Sequence, residues 1–179
     1  NQINEMIFDS PLLDSISYKY SDLPFYIFKY YFEKQNKKSL DELVTGAFYE
    51  PLGLKRTLFN PRNTIPLNEI VPSEEDKYFR NTTLRGFVHD MGAAMQGGVG
   101  GHAGLFSNAL EIGKIMQLYL NKGFIDGKKY FDPESFEQFN HCYYCSEGNR
   151  RGVGFDKPQL EGEGSTCGCV SLSSFGHLG

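Results

Sequence analysis

Between Leu23 and Gln35 the chain gathers Phe25, Tyr26, Ile27, Phe28, Tyr30, Tyr31 and Phe32 into one short run. Rings this large and this dense must be covered by the rest of the fold, so the run dictates where much of the core lies. Pro24 suits the first turn of a helix, where a missing N–H costs no hydrogen bond. The pattern predicts a buried helix over 23–35, with Lys29, Glu33 and Lys34 on its wetter side.

The flanking segments read as further helices and loops. Residues 1–19 carry Ile3, Met6, Ile7, Leu12, Leu13 and Ile16, broken by Pro11, which predicts a short helix followed by a loop. Ser39-Leu40-Asp41-Glu42 is a capping box. Leu40, Leu43, Val44, Phe48 and Leu52 follow at helical spacing, and Gly53 stops a second helix over roughly 40–50. Residues 55–90 hold Pro61, Pro66 and Pro72 and read as a long irregular stretch, with a short helix over 73–78. Residues 97–104 form a glycine-dense turn. Ser107 is placed to cap a helix running through Ile112, Ile115, Met116, Tyr119 and Leu120, ended by Gly123. Pro133 and Glu134 open another short helix, with Phe136 and Phe139 on one side. Residues 147–174 are Gly-rich and read as a mobile loop, with a strand near 153–155. Ser174-Phe175-Gly176-His177-Leu178 reads as the start of another strand. The expected fold is mainly α with a few strands, an α+β chain whose strands enter only at the end. No βαβ alternation supports a doubly wound sheet.

Composition narrows the functional classes. A chain of 179 residues with 40% hydrophobic and 22% charged residues fits one soluble globular domain. Its formal net charge of -4 argues against a nucleic-acid partner, which needs a basic surface. No apolar run reaches the roughly 18–20 residues that span a bilayer. No export signal is visible in the first residues, and the chain opens without Met; it is expected to begin inside a longer protein.

Four motifs bear on chemistry. Gly98-Val99-Gly100-Gly101-His102-Ala103 satisfies G-x-G-x-x-A, but no strand precedes it and no βαβ unit surrounds it. Dinucleotide binding is therefore set aside, no cofactor is expected, and the glycines are assigned to positive φ and close backbone approach. His89-Asp90 with His102 has the residue types of a His/Asp relay or a metal pair. Too few ligands accompany it for a metal site, and a structural histidine bonding loop carbonyls is the preferred reading. Tyr20-Ser21-Asp22 stands at the foot of the aromatic helix, where a tyrosine held near a cation could take a proton from a serine. Cys142, Cys145, Cys167 and Cys169 form C-x-x-C, a gap of 21 residues, then C-x-C. Disulfides, a tetrathiolate zinc site and unpaired thiols are all open to them.

Tyr20-Ser21-Asp22-Leu23, the aromatic helix, Lys38-Ser39-Leu40-Asp41-Glu42 and Tyr49-Glu50-Pro51-Leu52-Gly53-Leu54 resemble the second-motif region of class C β-lactamases and related D-Ala-D-Ala peptidases and esterases. Arg85-Gly86-Phe87-Val88-His89-Asp90 and Gly98 through Ser107 are similar to the segment before the last helices of that family's helical lobe. Arg150-Arg151-Gly152-Val153-Gly154-Phe155 looks like the return toward its sheet. Ser174-Phe175-Gly176-His177-Leu178-Gly179 resembles its third motif, Lys-Thr-Gly or His-x-Gly. The resemblance covers nearly the whole chain and is closest to a subgroup linked to cell-wall turnover, which includes N-acetylmuramoyl-L-alanine amidases.

The resemblance implies the helical lobe of a β-lactamase/transpeptidase-like fold over about 1–146, then a loop and the start of a return to the sheet over about 147–179. It implies acyl transfer on cell-wall peptides or muropeptides in the periplasm, by a serine in Ser-x-x-Lys. Tyr20 matches the proton-exchanging tyrosine. Asp22 stands where an asparagine normally meets lysine and substrate, and an ionised carboxylate cannot donate a hydrogen bond. His177 matches the Lys/His of the third motif, Leu178 replaces the usual Thr or Ser, and Gly179 lets the strand backbone approach substrate. No Ser-x-x-Lys occurs in the chain. By itself the chain is therefore expected to be inactive, and to self-associate through the face a missing sheet lobe would cover. A non-catalytic relative that binds peptidoglycan or a partner is the alternative, favoured by Asp22 and Leu178.

Overall fold

A computed structural model describes residues 2–14, 18–159, 166 and 170–177. They fall into two compact units, Asn1–Lys114 and Ile115–Gly179. The architecture is α+β, with helices joined by short two-stranded sheets. No helix among the described residues is long and apolar enough to cross a membrane.

In the first unit, α1 (Gln2–Phe8) packs on α2 (Leu23–Asn36) through an edge-on contact of Phe8 with Tyr30, 5.2 Å between ring centroids. Pro24 lies in the first turn of α2 as expected. The orientation of α2 differs from the prediction. Its more sheltered stripe is Tyr26, Lys29, Tyr30 and Glu33, while Phe25, Ile27, Phe28, Tyr31 and Phe32 are all exposed. Polar partners hold that inner stripe: Lys29 reaches Gln96 and Glu33, and Glu33 accepts the Leu40 N–H at 2.9 Å. Lys29 and Glu33 thus line the inner side instead of the wet one.

The capping box forms. Ser39 donates its N–H and its hydroxyl to the Glu42 carboxylate, each at 2.9 Å, and starts α3 (Leu40–Val44). The helix widens into a π turn over Thr45–Tyr49 and ends where Gly53 turns to φ +69°. Leu52 and Leu54 then join Ile70, Leu84, Val88 and Ala93 in the core.

The helix expected over 73–78 is instead a hairpin. β2 (Pro72–Asp76) pairs antiparallel with β3 (Thr82–Arg85). Asp76, 2% exposed, accepts the N–H groups of Tyr78, Phe79 and Arg80 and the Arg80 Nε–H at 2.7–3.1 Å. Its side chain takes the donors that a helix would have used, so the chain turns. Fully buried Leu84 anchors the returning strand. Strands therefore occur in mid-chain, not only at the end: β1 (Leu58–Phe59) also pairs with β4 (Leu105–Phe106).

α5 (Ala109–Leu120) is capped by Asn108, whose Oδ1 accepts the Glu111 N–H at 3.0 Å. Ser107, the expected cap, bonds Thr57 through its hydroxyl at 2.7 Å. Gly123, φ +96°, follows the helix end as predicted.

In the second unit, β5 (Phe124–Ile125) and β6 (Lys128–Lys129) form a tight hairpin around Asp126-Gly127, both at positive φ. Asp-Gly is the dipeptide such a turn favours. α6 (Pro133–Asn140) follows. Its Phe136 is buried in a ring cluster with Tyr119, Phe155 and Phe175, whereas Phe139 is exposed, so the two do not share a buried side. No strand forms over 153–155. The Gly152 N–H bonds the Phe155 carbonyl across a tight turn, and among the described residues Asp156 forms an isolated bridge with Gly176. Cys142 and Cys145 are joined as a disulfide just after α6.

Candidate functional site

Tyr20, Ser21 and Asp22 form the turn that feeds α2. The Asp22 carbonyl accepts the Phe25 N–H at 2.9 Å, and Ser21 Oγ accepts the Leu23 N–H at 3.2 Å. The Asp22 carboxylate makes no capping bond of its own. Tyr20 is 56% exposed, so its ring lies at the surface of the first unit.

One turn along α2, Tyr26 stacks on His102 with ring centroids 4.4 Å apart and planes 20° from parallel. His102 Nε2 lies 2.8 Å from Asp90 Oδ1. Asp90 also caps α4 (Met91–Met95) by accepting the Ala93 N–H at 2.6 Å. The histidine thus pairs with a carboxylate, not with the loop carbonyls expected from sequence. Burial pushes the Tyr26 phenol up, and the negative charges of Asp90 and Asp22 add to that. Burial also works against ionising Asp90, but the bonds from Ala93 and His102 outweigh it and hold its carboxyl below the ordinary value.

The glycine turn makes this packing possible. A Cβ on Gly101 would strike the Phe25 carbonyl, and one on Gly92 would strike the Tyr26 hydroxyl. Gly97, Gly98 and Gly104 all sit at positive φ, as expected. Gly101 lets the loop lie against the foot of α2. Sequence reading gave Asp90 and His102 a structural role but missed their link to Tyr26, because 12 positions separate the pair and 64 more lie back to Asp90 from Tyr26. The His102 side chain is buried and that of Asp90 half-buried, and the pair fixes the glycine loop against α2.

The second unit holds His177. It lines a small cavity of about 130 Å³ with Lys157, Pro158 and Ser174. The adjoining Gly176 exchanges backbone bonds with Asp156, at 2.6 and 3.1 Å. Tyr20 and Asp22 thus belong to one unit and His177 to the other. Leu178 and Gly179 lie outside the described residues, as do Cys167 and Cys169. Among the described residues no group of three or more His, Cys, Asp or Glu is placed to hold a metal. The disulfide removes Cys142 and Cys145 as thiolate ligands.

No family model matches the chain. A Salmonella enteritidis protein named "Putative D-alanyl-D-alanine carboxypeptidase" is 34% identical over 193 residues, an alignment covering 98% of this chain and 44% of that protein. A Salmonella agona protein of the same name is 38% identical over 149 residues, covering 75% of this chain and 34% of its own length. The chain therefore spans less than half the length of the curated relatives it matches.

Proposed function

We propose that this chain is part of a serine hydrolase that cuts cell-wall peptides by acyl transfer, of the D-Ala-D-Ala carboxypeptidase type, working in the periplasm. The observation that carries the reading is the 34% identity running through 98% of the chain to a relative bearing that name. The resemblance of Tyr20-Ser21-Asp22 and of Phe175-Gly176-His177 to the second and third motifs of β-lactamase-like hydrolases supports the same chemistry. In this reading the nucleophilic serine comes from the remainder of the natural protein, since no Ser-x-x-Lys occurs here. Tyr20, at the surface, exchanges the serine proton. His177 stands beside the scissile end of the substrate. Asp22 pairs with the motif lysine instead of donating to the substrate amide, because an ionised carboxylate only accepts.

The test uses the natural protein that carries this chain. It is given a muramyl-pentapeptide, and release of D-alanine is followed by mass spectrometry. Turnover that falls at least about 100-fold in Tyr20→Phe, the scale of lost acid–base catalysis, is the expected result. Asp22 in place of asparagine favours a second reading, a relative that binds peptidoglycan without cutting it. Measurable binding of the muropeptide with no product of any kind would establish that reading instead.

A further inference from the structure

The disulfide of the second unit closes a very short loop, since Cys142 and Cys145 are only three positions apart. A cross-link stabilises by restricting the unfolded chain, and its effect grows with the logarithm of the loop it closes, so this one contributes less than a long-range bridge would. The turn is also closed without it. The Glu147 and Asn149 N–H groups both bond the Tyr144 carbonyl, at 3.0 and 3.1 Å, and the Gly148 N–H bonds the Cys145 carbonyl at 3.1 Å. Cys145 is exposed and Cys142 half-buried, so an incoming thiolate has the easier approach to Cys145.

The two sulfurs have different surroundings. Cys145 lines a cavity of about 300 Å³ together with Arg150 and Lys157. Lys157 donates to the carbonyl and Oδ1 of Asn140, at 3.1 and 2.7 Å, so neutral oxygens hold it in place. Burial holds its ammonium below the ordinary value and Glu137 opposes that. A thiolate nearby would favour the charged form further. Arg150 donates Nε–H to the Lys157 carbonyl at 2.7 Å and pairs Nη2 with Asp156 at 3.0 Å. Across 145–157 the charged side chains are Arg150, Arg151 and Lys157 against Glu147 and Asp156, and His141, edge-on to Tyr143, stands just before Cys142. The cations outnumber the acids, and cations beside a thiol stabilise its thiolate. The Cys142 sulfur instead lies 3.1 Å from the Asn149 carbonyl oxygen, which accepts a bond from a thiol and repels a thiolate. In the reduced pair the proton therefore belongs on Cys142 and the negative charge on Cys145.

We propose that Cys142–Cys145 is a thiol–disulfide exchange site, opened and re-formed by an external dithiol while the rest of the unit stays folded. The inference stands on this loop alone and does not depend on the hydrolase reading. One thiolate of the dithiol attacks the Cys145 sulfur, and the electron pair of the broken S–S bond goes to Cys142, which takes up a proton and turns it to the Asn149 carbonyl. The second thiolate of the dithiol then attacks its own sulfur in the mixed disulfide and releases Cys145 as a thiolate beside Arg150 and Lys157. The dithiol loses two electrons and becomes a disulfide, the pair Cys142 and Cys145 gains them, and one proton goes to solvent. Stabilising the reduced pair in this way makes its disulfide the more readily opened.

The test equilibrates this 179-residue chain with graded ratios of reduced to oxidised dithiothreitol, alkylates the free thiols and reads the tryptic peptide 130–150, which holds Cys142 and Cys145 but neither Cys167 nor Cys169. The bond is expected to open while the near-ultraviolet ellipticity of the chain is unchanged, and to re-form when oxidised dithiothreitol is added. Opening only in step with loss of that signal overturns the site and makes the bond a structural one. Limiting iodoacetamide on the reduced wild type, with the label located by fragmentation, should give Cys145 a labelling midpoint below the ordinary thiol pKa of about 8.5. A midpoint at or above that value overturns the proposal, and this arm needs no variant. Arg150→Gln with Lys157→Met should need a reduced-to-oxidised ratio about 10-fold higher for half-opening at pH 7, the effect of moving a thiol pKa from about 6 back to about 8.5. An unchanged ratio in a folded double variant also counts against it. Reduced thioredoxin at the same dithiol concentration identifies the source: faster opening than by dithiothreitol assigns the site to a protein dithiol, and slower opening assigns it to a small one.

Discussion

His102 reaches Asp90 across 2.8 Å while its ring lies flat on Tyr26, so one buried side chain ties the glycine loop, the cap of α4 and the start of α2 together. Asp90→Ala removes the α4 cap, which typically costs about 1 kcal/mol. It also leaves His102 Nε2 without its acceptor, and an unsatisfied buried donor costs about 1–3 kcal/mol. A loss of about 2–4 kcal/mol is expected by urea denaturation. His102→Ala should lose a similar amount, and the double variant should lose less than the sum. Additive losses would show that the two residues act separately.

How much of this was legible in advance depended on range. The capping box at Ser39, Pro24 in the first turn of α2 and the stop at Gly53 are local, fixed within a few residues, and the structure holds all three. The hairpin at 72–85 was not legible, because Asp76 decides it by capturing three successive backbone donors, a competition that apolar spacing does not reveal. The orientation of α2 was misjudged for a related reason. Its inner stripe is set by Gln96 and Leu40, which supply polar partners to Lys29 and Glu33, and no property of the helix itself announces them. Of the candidate site, Tyr20 and Asp22 lie in the turn that leads into α2. Asp22 and Asp90 both act on the Tyr26 phenol, and that relation joins positions more than 60 apart.

Asp76 makes the first unit acid-sensitive. Its carboxyl is held far below the ordinary value, first by the Phe79 N–H and then by the Arg80 side chain, against a smaller opposing effect of burial. A carboxylate whose folded pKa is depressed adds stability that is fully present above its unfolded value and is lost as pH falls toward the folded one. The thermal midpoint should therefore decline below about pH 4. Asp76→Asn should start from a lower midpoint at pH 7 and show a shallower decline on acidification. Parallel pH profiles for the two proteins would remove Asp76 as the cause.

Gly104 tests whether the glycine turn is held by geometry or merely by small size. Its φ is +113°, a region side chains rarely adopt, and a Cβ there would strike the Gly98 carbonyl, which is backbone and cannot swing aside. Gly97 also has positive φ, +80°, but faces open space. Gly97→Ala should cost about 1 kcal/mol from backbone strain alone. Gly104→Ala should exceed that and approach about 3 kcal/mol. Equal losses in chemical denaturation would mean that the close approach to Gly98 is not a constraint.

The exposed side of α2 sets the solution behaviour of this chain. Phe25, Ile27, Phe28, Tyr31 and Phe32 are each 38–54% exposed on one helix. Large rings carry about 150–250 Å² apiece, so the patch is on the order of 400–500 Å², at the upper limit of what monomers leave in water. A second copy of the chain is suited to cover it. With the two α2 helices antiparallel, Lys34, Lys37 and Lys38 at one end would meet Asp22 at the other, and the opposed helix dipoles would also attract. Sedimentation should show a concentration-dependent dimer. Phe28→Glu with Phe32→Glu should leave a monomer, since both positions already face solvent and the fold does not need them. A dimer that persists in the double variant would place the contact elsewhere, and a wild-type monomer at all concentrations would show that α2 is not an interface of this chain.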